Sequence, residues 1–195
     1  MAHKRPPDHW NERAKKDGYS ARSAYKLEEI QRRFRVIPRS PKVVDLGCAP
    51  GSWTQYVGRV TRYTGEVVGV DIQEVPGYPG DFLRGSIFDV DPERIIELLG
   101  GPADLVISDM APSTTGNRFT DHVQQIELAE AARSLASKVL RPGGNFVVKV
   151  FDGEDAPDFV LRMRRDYDKA KRVKPEATRN KSVEFFMVGL GRKSP

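Results

Sequence analysis

The segment Asp45-Leu46-Gly47-Cys48-Ala49-Pro50-Gly51-Ser52-Trp53 has the composition of a ligand-binding turn. Gly47 and Gly51 let a backbone pass close to a bound molecule where a Cβ would clash. Asp71 lies twenty residues after Gly51, at the close of the next apolar run, Val67-Val68-Gly69-Val70. An acid in that place can accept hydrogen bonds from both ribose hydroxyls of a nucleoside. The turn lacks the G-x-G-x-x-G spacing of dinucleotide sites and the G-x-x-x-x-G-K-[ST] of a P-loop. Pro50 also removes an N–H donor that phosphates would use. A nucleoside ligand without a pyrophosphate fits better, and S-adenosyl-L-methionine is one. Its ribose suits Asp71, and its positive sulfonium suits an acidic stretch, since residues 43–160 carry a net charge of −9. The bland alternative is a plain strand-to-helix turn with a surface aspartate; the paired acids Asp45 and Asp71 weigh against it.

A second group of residues sits where apolar side chains are expected. Lys149 interrupts Phe146-Val147-Val148-Lys149-Val150-Phe151, a run that predicts a buried strand. An unpaired ammonium is costly to bury, so Lys149 needs a partner or an opening, and snorkelling at a strand end would also satisfy it. Asp109 closes the run Leu105-Val106-Ile107-Ser108 and offers a carboxylate from a neighbouring strand end. Glu184, at the start of the final apolar run, offers another. Lys26 lies on a helical stretch beside Arg22 and Tyr25, where solvation alone would explain it. Singly each is ambiguous; as a set they form a Lys/Asp/Lys/Glu constellation.

The elements that must position these residues follow from periodicity. The chain has 195 residues, a length for one domain. Helices are expected over about 21–35, 52–62, 92–99, 120–140 and 156–167, and strands at 43–46, 67–70, 82–83, 105–107, 146–151 and 183–190. Pro142-Gly143-Gly144 should stop the fourth helix. Residues 1–18 read as a polar basic arm, and a basic stretch follows Tyr167. Strands alternating with helices imply an α/β fold, a parallel sheet with helices on both faces. Ligands bind outside the carboxyl ends of such strands, where Gly47, Asp71, Asp109 and Lys149 fall.

Composition excludes several functions. One cysteine, Cys48, permits no disulfide framework or Cys-cluster zinc site. His3, His9 and His122 lack metal-ligand spacing, and no G-x-S-x-G elbow is present. No apolar run approaches the ~20 residues of a membrane span, and the start has no apolar signal core; a cytoplasmic monomer is expected. Residues 1–42 carry net +7 and residues 161–181 net +6. Basic ends around an acidic middle point to a polyanion. The arginines and lysines expected to hold its phosphates are Lys4, Arg5, Arg13, Lys15, Lys16, Arg22, Arg32 and Arg33 at one end. At the other they are Arg162, Arg164, Arg165, Lys169 and Arg179. Trp10 could stack on an unpaired base or anchor the arm.

With these residues in view, a family emerges. Arg22-Ser23-Ala24-Tyr25-Lys26-Leu27, the Asp45–Trp53 turn, Ser108-Asp109-Met110-Ala111-Pro112, Leu140-Arg141-Pro142-Gly143-Gly144 and Phe146–Phe151 stand in order. Over residues 18–193 the chain resembles the FtsJ/RrmJ family of RNA ribose 2′-O-methyltransferases. The resemblance implies a Rossmann-like class I methyltransferase with a mostly parallel seven-stranded sheet, a single domain over 19–195. It places a catalytic tetrad on Lys26, Asp109, Lys149 and Glu184, with Lys149 as proton acceptor. Cofactor contacts fall on Gly47, Gly51, Trp53, Asp71, Ser86 and Asp109. The family usually holds the adenine amine with an acid where this chain has Ser86, and Asp89 is three residues on.

The reaction implied is in-line transfer of a methyl group from sulfonium sulfur to a ribose 2′-oxygen, which needs no metal. A lysine is ordinarily protonated at neutral pH. Burial and the Lys26 ammonium would favour the neutral form, Asp109 and Glu184 the charged form, so Lys149 could act as base or merely orient and polarise the hydroxyl. The implied substrate is a ribose, a uridine's, in large-subunit (23S-type) ribosomal RNA. Alternatives are a transfer-RNA anticodon-loop methyltransferase, a non-catalytic RNA-binding module on the same fold, and an NAD-dependent oxidoreductase, which the missing G-x-G-x-x-G disfavours.

Overall fold

The computed structural model describes residues 9–179 and 182–194. In chain order the elements are α1 (His9–Lys16), α2 (Ala24–Phe34), β1 (Lys42–Leu46), α3 (Ser52–Thr61), β2 (Glu66–Asp71), β3 (Asp81–Arg84) and α4 (Pro92–Leu98). Then follow β4 (Ala103–Ser108), α5 (Arg118–Val139), β5 (Leu140–Phe151), α6 (Ala156–Asp166), β6 (Tyr167–Val173) and β7 (Glu184–Arg192). The strands form one sheet in the order β3-β2-β1-β4-β5-β7-β6. All pairs are parallel except those of β7, which runs antiparallel to both β5 and β6. This is the α/β architecture the sequence implied.

Alternation along the strands builds two cores. Val44, Leu46, Val106, Phe146, Val148 and Val150 face α4, α5 and α6. Val43, Leu105, Ile107, Val147, Phe186 and Val188 face α2 and α3. Period-two side-chain direction explains the division, and cover on both faces explains why the central strands read as continuous apolar runs.

Three features differ from expectation. The helix preceding β5 begins at Arg118, because the Asn117 side chain accepts from the N–H groups of Phe119 and Thr120 and caps it. Pro142-Gly143-Gly144 lies inside β5, not in a break before it. The β4–β5 register shifts between Ala103 and Leu105, and the irregularity accommodates these residues. The basic stretch 167–173 is the edge strand β6. Its exposed lysines and arginine discourage further strand pairing, which also erased its apolar signal.

The arm is partly a docked helix. Residues 1–8 lie outside the described residues, and with them Lys4 and Arg5. On α1, Ala14 is buried with Tyr25 and Ala177. Trp10 tilts against Tyr25 with ring centroids 5.3 Å apart, and the Arg13 guanidinium lies 4.3 Å from the Tyr25 ring centroid. Trp10 is thus part of an aromatic anchor beside Lys26.

Candidate active site

The register delivers the site. Leu46 pairs with Val70 and with Ser108, and Ser108 pairs with Val148. The next residues, Gly47, Asp71, Asp109 and Lys149, therefore gather at one edge, where the sheet order reverses between β1 and β4. In doubly wound sheets that is the place for a ligand. A cleft of about 480 Å³ opens there, its wall including Gly47, Asp71, Ile72, Ser86, Phe88 and Asp109.

The cleft depends on its glycine turn. Gly47 has φ +71°, and a Cβ there would stand 2.4 Å from Cγ of Met110, which also lines the cleft. Gly51, at φ +96°, caps α3 in the left-handed region. The Asp71 carboxylate accepts from the N–H of Ala49 and of Gln73, each at 2.8 Å. It thereby ties the turn to the end of β2, and its oxygens keep lone pairs for a ligand.

Beside the cleft, four charged side chains form a chain of alternating sign. Lys149 Nζ donates to Asp109 Oδ1 at 3.1 Å and to the Asp109 carbonyl at 2.6 Å. Lys26 Nζ lies 3.7 Å from the same Oδ1 and 2.6 Å from Glu184 Oε1. Lys26 and Lys149 are 7% and 5% exposed, so these carboxylates are what makes their burial tolerable. Neither lysine snorkels into open solvent. Asp109 alone belongs to both the tetrad and the cleft wall.

Asp45 plays another part. It is buried at the end of β1, away from the cleft lining, and accepts from Thr54 Oγ1 at 2.7 Å. Burial pushes its carboxyl up to about 7, with the charges of Asp109 and Asp71 adding to the rise and the Thr54 hydrogen bond opposing it. A carboxyl whose folded pKa stands above its unfolded value holds its proton more tightly when folded. Its contribution is therefore most favourable at low pH and is lost as pH rises from about 4 to about 7. Asp45→Asn keeps an acceptor for Thr54 and removes that dependence. From about pH 5 to about pH 8, the variant should gain on the order of 2 kcal/mol over wild type in chemical unfolding. A difference that stays flat with pH would show that Asp45 does not titrate in this range.

The structure brings together Lys26, Asp109, Lys149 and Glu184, and separately places Gly47, Asp71, Ser86 and Asp109 on the cleft. Asp89 is exposed and off the lining. Gly51 and Trp53 stand outside the lining as well. The Trp53 indole is buried against Phe186 and donates to the Ser23 carbonyl at 2.8 Å, just before α2. It holds the start of the helix that carries Lys26. Ile72, Phe88 and Met110 were not singled out as contacts, although each neighbours a residue or motif that was.

The basic ends meet the site less fully than expected. Helix α6 leads away from the carboxyl end of β5, so Arg162, Arg164 and Arg165 lie toward the opposite edge. Arg162 pairs with Glu130 at 2.8 Å and Arg165 with Asp166 at 3.2 Å. Lys169 pairs in register with Leu190, also far from Glu184. Chain direction decides this, which net charge cannot report. Arg32 lines a small hollow with Trp10, Arg13, Tyr25 and Glu176, and Arg22, one turn before Lys26, and Arg179, in the connection from β6 to Glu184, neighbour the tetrad along the chain.

The profile of the FtsJ-like methyltransferases matches residues 19–192. The ribosomal RNA large subunit methyltransferase E of Desulfosudis oleivorans is 41% identical over 193 residues, spanning 97% of this chain and 93% of its own. Its namesake from Acinetobacter baylyi is 45% identical over 193 residues, spanning 95% and 88%. A crystal structure of a ribosomal RNA methyltransferase from Plasmodium falciparum superposes with a TM-score of 0.81 at 24% identity, covering 91% of this chain and all of that one. Among the described residues no helix is long and apolar enough to cross a membrane.

Proposed function

The chain belongs to the FtsJ-like methyltransferase family, and from that premise we propose that it methylates a ribose 2′-hydroxyl, a uridine's, in large-subunit ribosomal RNA with S-adenosyl-L-methionine. The observation that carries this reading is the Lys149–Asp109–Lys26–Glu184 chain set against the cleft, with Asp109 common to both. The cleft suits the cofactor: Asp71 for ribose hydroxyls, Ile72 and Phe88 for a flat apolar base, Ser86 for its amine, and Asp109 for positive charge. When bound, the cofactor supplies an electrophilic methyl group on a sulfonium that leaves as a neutral thioether.

The protein's share is alignment and proton handling. Lys149 and Lys26 present donors to one small space, where they would hold the 2′-oxygen. Asp109 fixes Lys149 through side chain and carbonyl, and Glu184 fixes Lys26. Lys149 is the residue placed to take the hydroxyl proton. Arg22 and Arg179 flank the site for backbone phosphates. A buried, paired set of this kind favours an enzyme over a passive RNA-binding module.

Incubation with methyl-labelled cofactor and either large ribosomal subunits or transfer RNA tests the assignment. Label is expected in large-subunit RNA, on ribose; label in transfer RNA alone would overturn the substrate. Asp71→Ala checks the cofactor site. It removes a charged acceptor whose hydrogen bonds are each worth about 1.5–3 kcal/mol, so cofactor Kd should rise about 10- to 100-fold. Unchanged affinity by calorimetry would remove Asp71 from the site.

A further inference from the structure

We propose that Gln125, two turns into α5, is a positioning residue that sets the spacing of Asp109 and Lys149; this rests on the methyl-transfer reading above. Gln125 is 1% exposed. Its amide nitrogen donates to the carbonyl of Lys149 at 2.9 Å and to that of Met110 at 3.3 Å. The first acceptor belongs to the lysine itself, and the second follows Asp109 by one residue. The paired register of β4 and β5 ends at Ser108 and Val148. Beyond it, Met110, Ala111 and Pro112 turn off along the cleft wall. Gln125 bridges the two chains where the ladder no longer does.

The orientation of the amide follows from its surroundings, since a flip would aim Oε1 at two carbonyl oxygens. In the orientation that remains, Oε1 is buried and has no hydrogen-bond partner. An unpaired buried acceptor is unfavourable. A residue needed only to fill the space under α5 would do so more cheaply as methionine or leucine. The same helix also holds the far end of the segment that follows Asp109. The Asp121 carboxylate accepts from Thr115 N–H at 2.7 Å, Thr115 Oγ1 at 2.9 Å and Gly116 N–H at 3.2 Å. Helix α5 thus anchors the 110–116 segment at both ends, and among the described residues the Gln125 side chain hydrogen-bonds both that segment and the strand bearing Lys149.

Two variants separate positioning from packing. Gln125→Met keeps length and volume and removes both donors. At saturating cofactor and RNA its kcat should fall about 10- to 100-fold, while calorimetric cofactor Kd stays within about threefold, as expected for lost alignment. The Lys149 side-chain resonances, read by NMR without RNA, should move from their wild-type positions. Gln125→Glu can donate only when its carboxyl is protonated, so its turnover relative to wild type should recover as pH falls. Wild-type kcat in Gln125→Met with unmoved Lys149 resonances would overturn the proposal, whatever the melting temperature does. Acid recovery absent from Gln125→Glu would also count against it. Should the wild-type protein methylate no RNA, the functional reading fails, and the RNA-free Lys149 resonances still decide the role of Gln125.

Discussion

Lys149→Ala is expected to lower methyl transfer by about 10²- to 10⁴-fold, the range for loss of a positioned proton acceptor. Cofactor affinity should barely change. Lys149 is not among the cleft-lining residues, and its Nζ is engaged by Asp109, the pair through which it is joined to the cleft wall. Lys149→Arg distinguishes the two roles left open by the residues. A guanidinium keeps the charge and donors that would orient a hydroxyl, yet it does not give up its proton in a protein. If Lys149 removes the proton, arginine leaves the enzyme as inactive as alanine does. If it only polarises the hydroxyl, arginine retains part of the rate. Labelled-methyl transfer and calorimetry on the two variants read both quantities. Substantial turnover by Lys149→Ala would make the lysine structural.

The grouping of the candidate site was legible in the sequence wherever a residue contradicted its surroundings. Lys149 stood out because an ammonium inside an apolar strand demands a partner, and Asp109 was found because two adjacent strand ends place it there. Glu184 followed from the last strand, whose antiparallel run brings it opposite Phe151. What stayed hidden was of another kind. Gln125 carries no charge and sits in a helix where glutamine is an ordinary residue, so its two hydrogen bonds to the carbonyls of Met110 and Lys149 exist only in three dimensions. Strand β6 hid because an edge strand with lysines at its exposed positions has no apolar alternation to read. Helix α1 hid because its burial comes from the aromatic contacts of Trp10 with Tyr25 rather than from an apolar stripe. The basic segments misled for a related reason: net charge says how many cations a segment holds, while the direction of α6 says where they point.

Asp109→Ala should be the most destabilising change in the site. Its carboxylate is the only side chain within ion-pair distance of Lys149 among the described residues, while Lys26 retains Glu184 at 2.6 Å. Removing it leaves the 5% exposed Lys149 ammonium with a single backbone carbonyl. Breaking a buried pair costs about 3–5 kcal/mol, and the low end applies because Asp109 borders the open cleft. Urea unfolding of Asp109→Ala should therefore show a loss of about 3 kcal/mol, together with loss of turnover. The cause is open to a direct check, because the cost lies in the stranded charge and not in the missing side chain. Adding Lys149→Met to Asp109→Ala removes that charge and should restore most of the stability while leaving the enzyme inactive. A double variant less stable than Asp109→Ala would mean that the lysine tolerates its surroundings unaided. The tetrad would then be two independent pairs rather than one chain through Asp109.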